Sequence, residues 1–195
     1  MKKILVISHD FVKKVNIRIY EELSQIKNIE LLCVKPQNLV LDKKNISTDY
    51  KIKNSKVKII ETKIMFNNLR FIYFKNLFKI IEKFKPSKVI IHNDPASIQV
   101  LLLIYYSFFK KFSIYCMSNE NRVVNFNEKY TIIKILRSIL LIFINFFLKF
   151  KIKNVLCISN QIKKNYNFLG YKKKTVLLPL GFDQDIFNKK KKKNK

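Results

Sequence analysis

The chain has 195 residues, of which 48% are hydrophobic, so it can bury a substantial core. Gly170 and Gly181 are its only glycines, which excludes glycine-rich phosphate loops of both the dinucleotide-binding type and the P-loop type. The formal net charge of +27 arises from 36 Lys and 4 Arg against 13 acidic residues. Because arginine is scarce, we expect solvated lysine-rich faces and no nucleic-acid partner.

Seven short apolar segments follow one another along the chain, and each is typical of a strand buried on both faces of a sheet. They lie at residues 3–8, 29–34, 57–62, 88–94, 112–118, 154–159 and 175–180. Five segments with helical spacing alternate with them, at residues 15–26, 69–84, 95–109, 130–150 and 160–170. Residues 36–55 are polar and predict a loop with short strand pieces. The alternation predicts βαβ units and a parallel sheet.

Single residues predict where the helices begin, end and face the core. Pro95 suits the first helical position, Pro86 ends the second helical segment, and Gly170 suits a helix stop. The first helical segment carries four apolar residues at helical spacing that we expect to face the core: Val15, Ile19, Leu23 and Ile26.

These patterns predict an α/β fold, a single doubly wound, mostly parallel sheet with helices on both faces. We expect the domain to span residues 1–188 and to be followed by a basic tail at residues 189–195. Three cysteines lie inside apolar runs and are expected to be small core residues: Cys33, Cys116 and Cys157. The sequence has no metal-ligand spacing, so we expect no bound metal.

Polar residues gather after the predicted strands, and ligands of such sheets bind beyond the carboxyl ends of the strands. The candidates include both histidines of the chain: Ser8, His9, Asp10, His92, Asn93, Asp94, Ser118, Asn119, Glu120, Asn121, Arg122, Ser159, Asn160, Gly181 and Asp183. Asp94 and Asn160 also suit helix N-caps. The set predicts binding of a hydroxyl-rich ligand, with one group able to take or give a proton.

The most apolar segment, residues 138–148, has about 11 uninterrupted residues, or roughly 16 Å of helix, against a hydrocarbon core of about 30 Å. Basic residues flank it at Lys134, Arg137, Lys149 and Lys151. Three interpretations stay open. We expect first a buried helix, second a membrane-surface helix whose lysines reach the headgroups, and third a membrane span.

Several stretches together resemble the N-terminal domain of family 4 glycosyltransferases. The stretch that resembles the closing segment of that domain reads VLCISNQIKKNYNFLGYKKKTVLLPLGFDQDIF, with matching positions at Ser159, Gly170, Pro179, Gly181, Phe182, Asp183 and Phe187. Further similar stretches are IRIYEELSQIKNIELLCVKP, KPSKVIIHNDPASIQVLLL and SNENR. The chain departs from the family after the first strand, where many members carry Gly-Gly and this chain has HDFVKK. It also departs after the fifth strand, where many carry His and this chain has Asn119 and Glu120.

The resemblance implies a Rossmann-like domain that is half of a GT-B fold, in which this half binds the acceptor. A second domain binds the nucleotide-sugar donor, without metal or further cofactor, and the reaction retains the anomeric configuration. By resemblance, Glu120 and Asn121 are catalytic and lie nearest the transferred sugar. The substrate-binding residues are His9, Asp10, Asp94 and Asp183.

The expected function is sugar transfer in surface polysaccharide or glycolipid synthesis, with a nucleotide-sugar and a sugar or lipid-linked acceptor as substrates. We expect this chain to be inactive alone, because PLGFDQDIF resembles the crossing between the two domains and only residues 188–195 follow it. The five consecutive lysines favour a frameshifted or split gene with a separately encoded donor domain; a native basic tail is the alternative. The expected location is cytoplasmic, with peripheral contact to the cytoplasmic membrane face. The alternatives are a non-catalytic, membrane-associated binding domain and a nucleic-acid-binding domain.

Overall fold

A computed structural model describes residues 1–13, 16–41, 44–47, 57–66, 71–119 and 132–179. Its centre is a parallel sheet of seven strands in the order β11-β10-β9-β8-β1-β2-β5. These strands are β1 (Lys2–Ile7), β2 (Ile29–Pro36), β5 (Lys58–Thr62), β8 (Lys88–Ile91), β9 (Ser113–Ser118), β10 (Ile152–Cys157) and β11 (Thr175–Leu177). They coincide with the seven predicted strand segments, so the predicted doubly wound α/β fold is confirmed.

Two short antiparallel hairpins lie outside the main sheet. They pair β3 (Asn38–Leu41) with β4 (Lys44–Ser47), and β6 (Ile64–Met65) with β7 (Tyr73–Phe74). The first hairpin provides the strand pieces expected within residues 36–55. The second corrects the helix predicted over residues 69–84, because Tyr73 and Phe74 are extended and the helix begins only at Leu77. Asn76, which precedes that helix, adopts a left-handed conformation with φ of 60°.

Five α-helices connect the strands within the described residues: α1 (Arg18–Leu23), α2 (Leu77–Phe84), α3 (Ile98–Ser107), α4 (Ile132–Leu148) and α5 (Asn160–Tyr166). Pro86 follows the end of α2, as predicted. Pro95 does not open α3, because the amide of Ser97 donates to the carbonyl of Asp94 and forms a turn before the helix. A π-helical turn, Asn167–Tyr171, follows α5, and Gly170 within it has φ of 90°, a left-handed backbone conformation that suits its predicted role as a helix stop.

The helices cover opposite faces of the sheet. Leu5 and Ile7 of β1 belong to a cluster with buried residues of α2, α3, α4 and α5, whereas Val6 packs with Ile17 and Tyr20 at α1. Because alternate side chains of a strand point to opposite faces, α1 lies on one face and α2 to α5 lie on the other.

The predicted inward face of the first helix is only partly correct, because Leu23 packs against the core and the other two described residues do not. Tyr20 and the preceding Ile17 are buried, whereas Ile19 and Ile26 are about half exposed. Val15 lies outside the described residues. The helix has only six residues and turns the face carrying Tyr20 toward the sheet, so the spacing of the aliphatic residues identified the buried side only in part.

The expectation that the long apolar helix is buried is also wrong for its described side chains. On α4, Asn145 and Leu148 are buried and Leu141 and Ile144 are partly buried, which makes one narrow inward stripe. Six apolar side chains of the helix are more than half exposed: Leu136, Ile139, Leu140, Phe143, Phe146 and Phe147. Within the described residues, no helix is long and apolar enough to cross a membrane.

Candidate functional site

The sheet reverses its strand order between β1 and β8. The chain leaves β1 toward β2 on one side, and it leaves β8 toward β9 on the other side. In open α/β sheets this reversal opens a crevice at the carboxyl ends of the two strands, where ligands bind. The segments that follow β1 and β8 begin with Ser8-His9-Asp10 and His92-Asn93-Asp94. The crevice therefore receives the polar residues that the sequence marked as candidates.

Asp94 is joined to two neighbouring elements by hydroxyl groups. Its Oδ1 atom accepts a hydrogen bond from Tyr166 Oη of α5 at 2.9 Å and a second from Ser118 Oγ at the end of β9. Tyr166 Oη also lies 3.2 Å from Ser118 Oγ. Both hydroxyl residues are almost completely buried, whereas Asp94 is partly exposed. This arrangement fixes the carboxylate at the edge of the crevice.

A second set of contacts joins the ends of β1 and β9. His9 Nε2 lies 3.3 Å from Asp10 Oδ1, and Asn119 Nδ2 lies 3.5 Å from Asp10 Oδ2. Asp10 also takes part in the local turn, because its amide donates to Ser8 Oγ at 3.0 Å. The side chain of His9 is 12% exposed and that of Asp10 is 31% exposed, so both can meet a ligand from solvent.

Burial lowers the pKa of His9 from its ordinary value near 6.5, although the carboxylates of Asp10 and Asp94 act in the opposite direction. A neutral imidazole at neutral pH can take a proton from a ligand hydroxyl. The neighbouring Asp10 carboxylate can accept a hydrogen bond from the imidazole. We use the name rim cluster for the residues that these contacts bring together: His9, Asp10, Asp94, Ser118, Asn119 and Tyr166.

His92 has a different environment from His9. Its Nε2 atom hydrogen-bonds with Tyr20 Oη at 2.5 Å, and its ring packs against Phe11 at a centroid distance of 5.3 Å. Burial, together with the charge that His9 carries when protonated, lowers the pKa of His92 to about 3. His92 is therefore a neutral core residue that ties α1 to the end of β8, and it is not a member of the rim cluster.

The structure describes the positions of only some of the predicted site residues, and their roles stay predictions. It brings His9, Asp10 and Asp94 to the same crevice, whereas Glu120, Asn121 and Asp183 lie outside the described residues. Asp94 does not cap α3, whose N-cap residue is Ser97. Asn160 does not cap α5, because Ser159 does so: its Oγ atom accepts a hydrogen bond from the amide of Ile162 at 3.3 Å. The two tyrosine partners, Tyr166 and Tyr20, were missed, since nothing in the sequence links either helix position to the strand end that it contacts.

No group of three or more His, Cys, Asp or Glu side chains in the described part of the chain is arranged to hold a metal ion. The rim cluster instead presents two carboxylates, an imidazole and an amide, while the buried hydroxyls of Ser118 and Tyr166 hold Asp94 in place. Such groups match the alternating donors and acceptors of a hydroxyl-rich ligand. In a chain of formal charge +27, two carboxylates at the crevice also distinguish it from the basic sites that bind free phosphate.

The strand order and the polar crevice define a Rossmann-like α/β domain with a candidate ligand site at its switch point. No protein-family model matches the chain, and no curated protein matches its sequence significantly. Its fold is similar to that of a UDP-N-acetylglucosamine 2-epimerase, with a TM-score of 0.50, 12% identity and 90% of this chain covered. The chain spans 47% of the length of that epimerase. At this identity the similarity shows the fold alone.

The fold also aligns with a second solved structure, that of a short chain dehydrogenase family protein from Francisella tularensis subsp. tularensis SCHU S4. It aligns with a TM-score of 0.45 and 13% identity over 87% of this chain and 77% of its own length.

Proposed function

We propose that the chain is the acceptor-side domain of a nucleotide-sugar-dependent glycosyltransferase, and that the rim cluster binds a sugar acceptor. The observation that carries the proposal is the convergence of His9, Asp10 and Asp94 at the switch point of a Rossmann-like sheet. The similarity in sequence pattern to family 4 glycosyltransferases supports it, as does the epimerase-like fold.

In this proposal the two carboxylates accept hydrogen bonds from acceptor hydroxyls. Asp94 is held in place by Tyr166 and Ser118, so it needs little reorganisation when the acceptor binds. His9 is neutral at the pH of the cytoplasm and supplies a proton acceptor beside Asp10. Glu120 and Asn121 are proposed to lie nearest the transferred sugar, and Asp183 is proposed to shape the crossing to a second domain that binds the donor.

Acceptor binding can be tested through the two histidines, because the chain contains only His9 and His92. Their ring signals can be followed by NMR during separate titrations with glucose, N-acetylglucosamine and UDP. We expect at least one saccharide to shift the His9 signals while the buried His92 signals move little. UDP alone should move neither ring, because the proposed nucleotide site lies in another domain.

Asp10→Asn is the decisive variant for this experiment, since it keeps the size of the side chain and removes the carboxylate. It should weaken the saccharide-dependent shift of His9, whereas Glu22→Gln, an exposed control on α1, should leave it unchanged. A shift of the His92 signals without one of His9, or an equal response in both variants, would contradict acceptor binding at the rim cluster.

The catalytic assignment needs the chain joined to a compatible donor domain. Glu120→Gln should then lower kcat by about 10²–10⁴-fold if Glu120 acts in proton transfer. If only KM rises, Glu120 would instead bind the acceptor, and the loss of binding free energy should be on the order of 1–3 kcal/mol. Unchanged kinetics would remove Glu120 from the site. The chain assayed alone should transfer no sugar, and robust turnover without a donor domain would contradict the two-domain proposal.

A further inference from the structure

The outer side of α4 is apolar although it faces solvent. The inward stripe of the helix occupies positions 141, 144, 145 and 148, one side of a helix with 3.6 residues per turn. The opposite side carries the six exposed apolar side chains named above, each more than half exposed. A helix that is apolar on all sides is normally buried, so among the described residues the outer side of α4 lacks the covering that its composition indicates.

The apolar surface continues onto the end of α3. Tyr105, Phe108 and Phe109 are each more than 60% exposed, and the ring of Tyr105 lies 5.3 Å from that of Phe109. Lys151 joins the two helices, because its Nζ atom lies 3.8 Å from the centroid of Phe108. We call the joint surface the apolar platform; its members are Tyr105, Phe108, Phe109, Leu136, Ile139, Leu140, Phe143, Phe146, Phe147 and Phe150.

The apolar platform is large for a surface without a covering layer. If each of its ten side chains exposes about 100 Å², roughly half of what a large side chain can bury, the platform offers on the order of 1,000 Å². The largest apolar patch on an ordinary monomer is about 300–600 Å². A surface of this size indicates an interaction site.

Positive charge accompanies the apolar platform without any nearby acid in the sequence. Residues 95–119 and 129–182 contain no Asp or Glu, and lysines follow both helices, at Lys110 and Lys111 after α3 and at Lys149 and Lys151 after α4. A carboxylate of α2, that of Glu82, reaches α3 by accepting a hydrogen bond from Tyr106 Oη at 2.8 Å. Lys149 Nζ lies 4.0 Å from the centroid of Phe146 and 5.4 Å from that of Phe150. Ammonium groups bordering exposed aromatic rings are the arrangement of a surface whose rings enter a bilayer while its lysines meet the headgroups.

We propose that the apolar platform docks the chain onto an anionic lipid bilayer, with α4 lying in the interface. Charge complementarity selects this occupant: an anionic surface meets lysines on a segment free of carboxylates, and its acyl region receives the aromatic side chains. A nucleic acid would match the charge but would leave the apolar side chains in water. This docking surface lies outside the rim cluster and does not depend on the proposed acceptor binding.

The test is flotation of the chain with vesicles of phosphatidylcholine alone or mixed with phosphatidylglycerol. We expect binding to the mixed vesicles that persists at about 0.5 M salt, where screening limits electrostatic reach to roughly 4 Å. The double variant Phe143→Ser, Phe147→Ser should lower the vesicle partition coefficient at least about tenfold, because it removes two side chains from the acyl region. Lys149→Gln with Lys151→Gln should lower it roughly tenfold at low salt.

Matched controls separate the apolar platform from general surface properties. Phe66→Ser with Phe71→Ser removes two exposed rings beside β6 and β7, and Lys2→Gln with Lys27→Gln removes two exposed charges at the start of β1 and β2. Both controls should change vesicle binding by less than about twofold, and circular dichroism should show that every variant is folded.

Three outcomes would overturn the proposal. One is vesicle binding that high salt abolishes and that both phenylalanine variants retain, which would assign it to charge alone. Another is a dimer in analytical ultracentrifugation that Phe143→Ser, Phe147→Ser dissociates, without vesicle binding, which would assign the surface to a second copy of the chain. The third is tight, salt-resistant binding to duplex DNA that the same variant weakens.

Discussion

The rim cluster and the apolar platform have opposite relations between exposure and polarity. At the rim, polar groups hydrogen-bond with one another, and the Tyr166 and Ser118 hydroxyls that hold Asp94 are withdrawn from water. On the outer side of α4, apolar side chains are exposed to water, and no described part of the chain covers them. The rim therefore contributes to the stability of the domain, whereas the apolar platform contributes little to it and is available for association. Each prediction below changes one side of this comparison.

The largest expected effect comes from acid, because the folded state keeps His92 neutral. Its folded pKa of about 3 lies below the ordinary value near 6.5, so the unfolded chain binds more protons between these values. The free energy of unfolding should fall as the pH drops from 6.5, by about 3 kcal/mol at pH 4 from this residue. Urea denaturation at several pH values measures this change in the free energy of unfolding. His92→Gln should flatten this dependence, and an unchanged slope would contradict the assignment.

Removal of one rim hydroxyl should have the next largest effect. Tyr166→Phe deletes the donor to Asp94 Oδ1, a hydrogen bond to a carboxylate, and should lower the free energy of unfolding by about 2 kcal/mol. Tyr105→Phe is the matched control on the apolar platform, because that side chain is 62% exposed, and it should change the value by less than about 0.5 kcal/mol. If both variants lost the same free energy of unfolding in urea denaturation, the rim cluster would not stabilise the domain more than the apolar platform does.

A third prediction concerns the buried polar residue on the inward stripe of α4. Asn145 donates to the carbonyl of Leu141 at 2.8 Å and accepts from Tyr171 Oη at 3.1 Å. Asn145→Ala leaves the buried Tyr171 hydroxyl without this acceptor and should lower the free energy of unfolding by about 1.5 kcal/mol. In a double-mutant cycle, Tyr171→Phe should offset part of that loss. Full additivity of the two changes would show that the hydrogen bond is not formed.

The smallest effect is expected from the outer side of α4. Phe143→Ser with Phe147→Ser should change the free energy of unfolding by no more than about 0.5 kcal/mol, because both side chains are exposed and the two residue types have similar helix propensities. The solubility of the chain should rise, as measured by the protein concentration at which light scattering increases. A loss of several kcal/mol would show that these rings are packed in the folded domain.

The sheet could be predicted from the sequence because parallel strands that are buried on both faces appear there as continuous runs of apolar residues. The five inner strands are largely buried and meet that requirement, whereas the edge strands β5 and β11 are mostly exposed, which corrects their prediction as strands buried on both faces. The alternation of strands with helices leaves few topologies. The meeting of His9, Asp10 and Asp94 was predictable for the same reason, since the carboxyl ends of neighbouring parallel strands share an edge.

Burial of helices was less predictable, because it depends on what lies next to them. The sequence pattern of residues 138–148 favoured a buried helix over a membrane-surface helix, and only the packing shows that Asn145 is buried while Phe147 is exposed. The same limit applies to the histidines. His9 and His92 have similar positions after their strands, but the contacts with Tyr20 and Phe11, both distant in sequence, make His92 a core residue.

The three cysteines have a practical consequence for experiments on this chain. Each thiol is buried and unpaired, and burial raises the pKa of Cys33 to about 12 and that of Cys157 to about 11, with Cys116 raised as well. Maleimide reagents require an accessible thiolate, so the native sequence should label very slowly at neutral pH. A cysteine introduced at Phe147 would then be the dominant attachment point for a fluorophore or spin label, with no need to replace the native thiols. Quenching of that probe by brominated acyl chains would measure its depth in a bilayer directly.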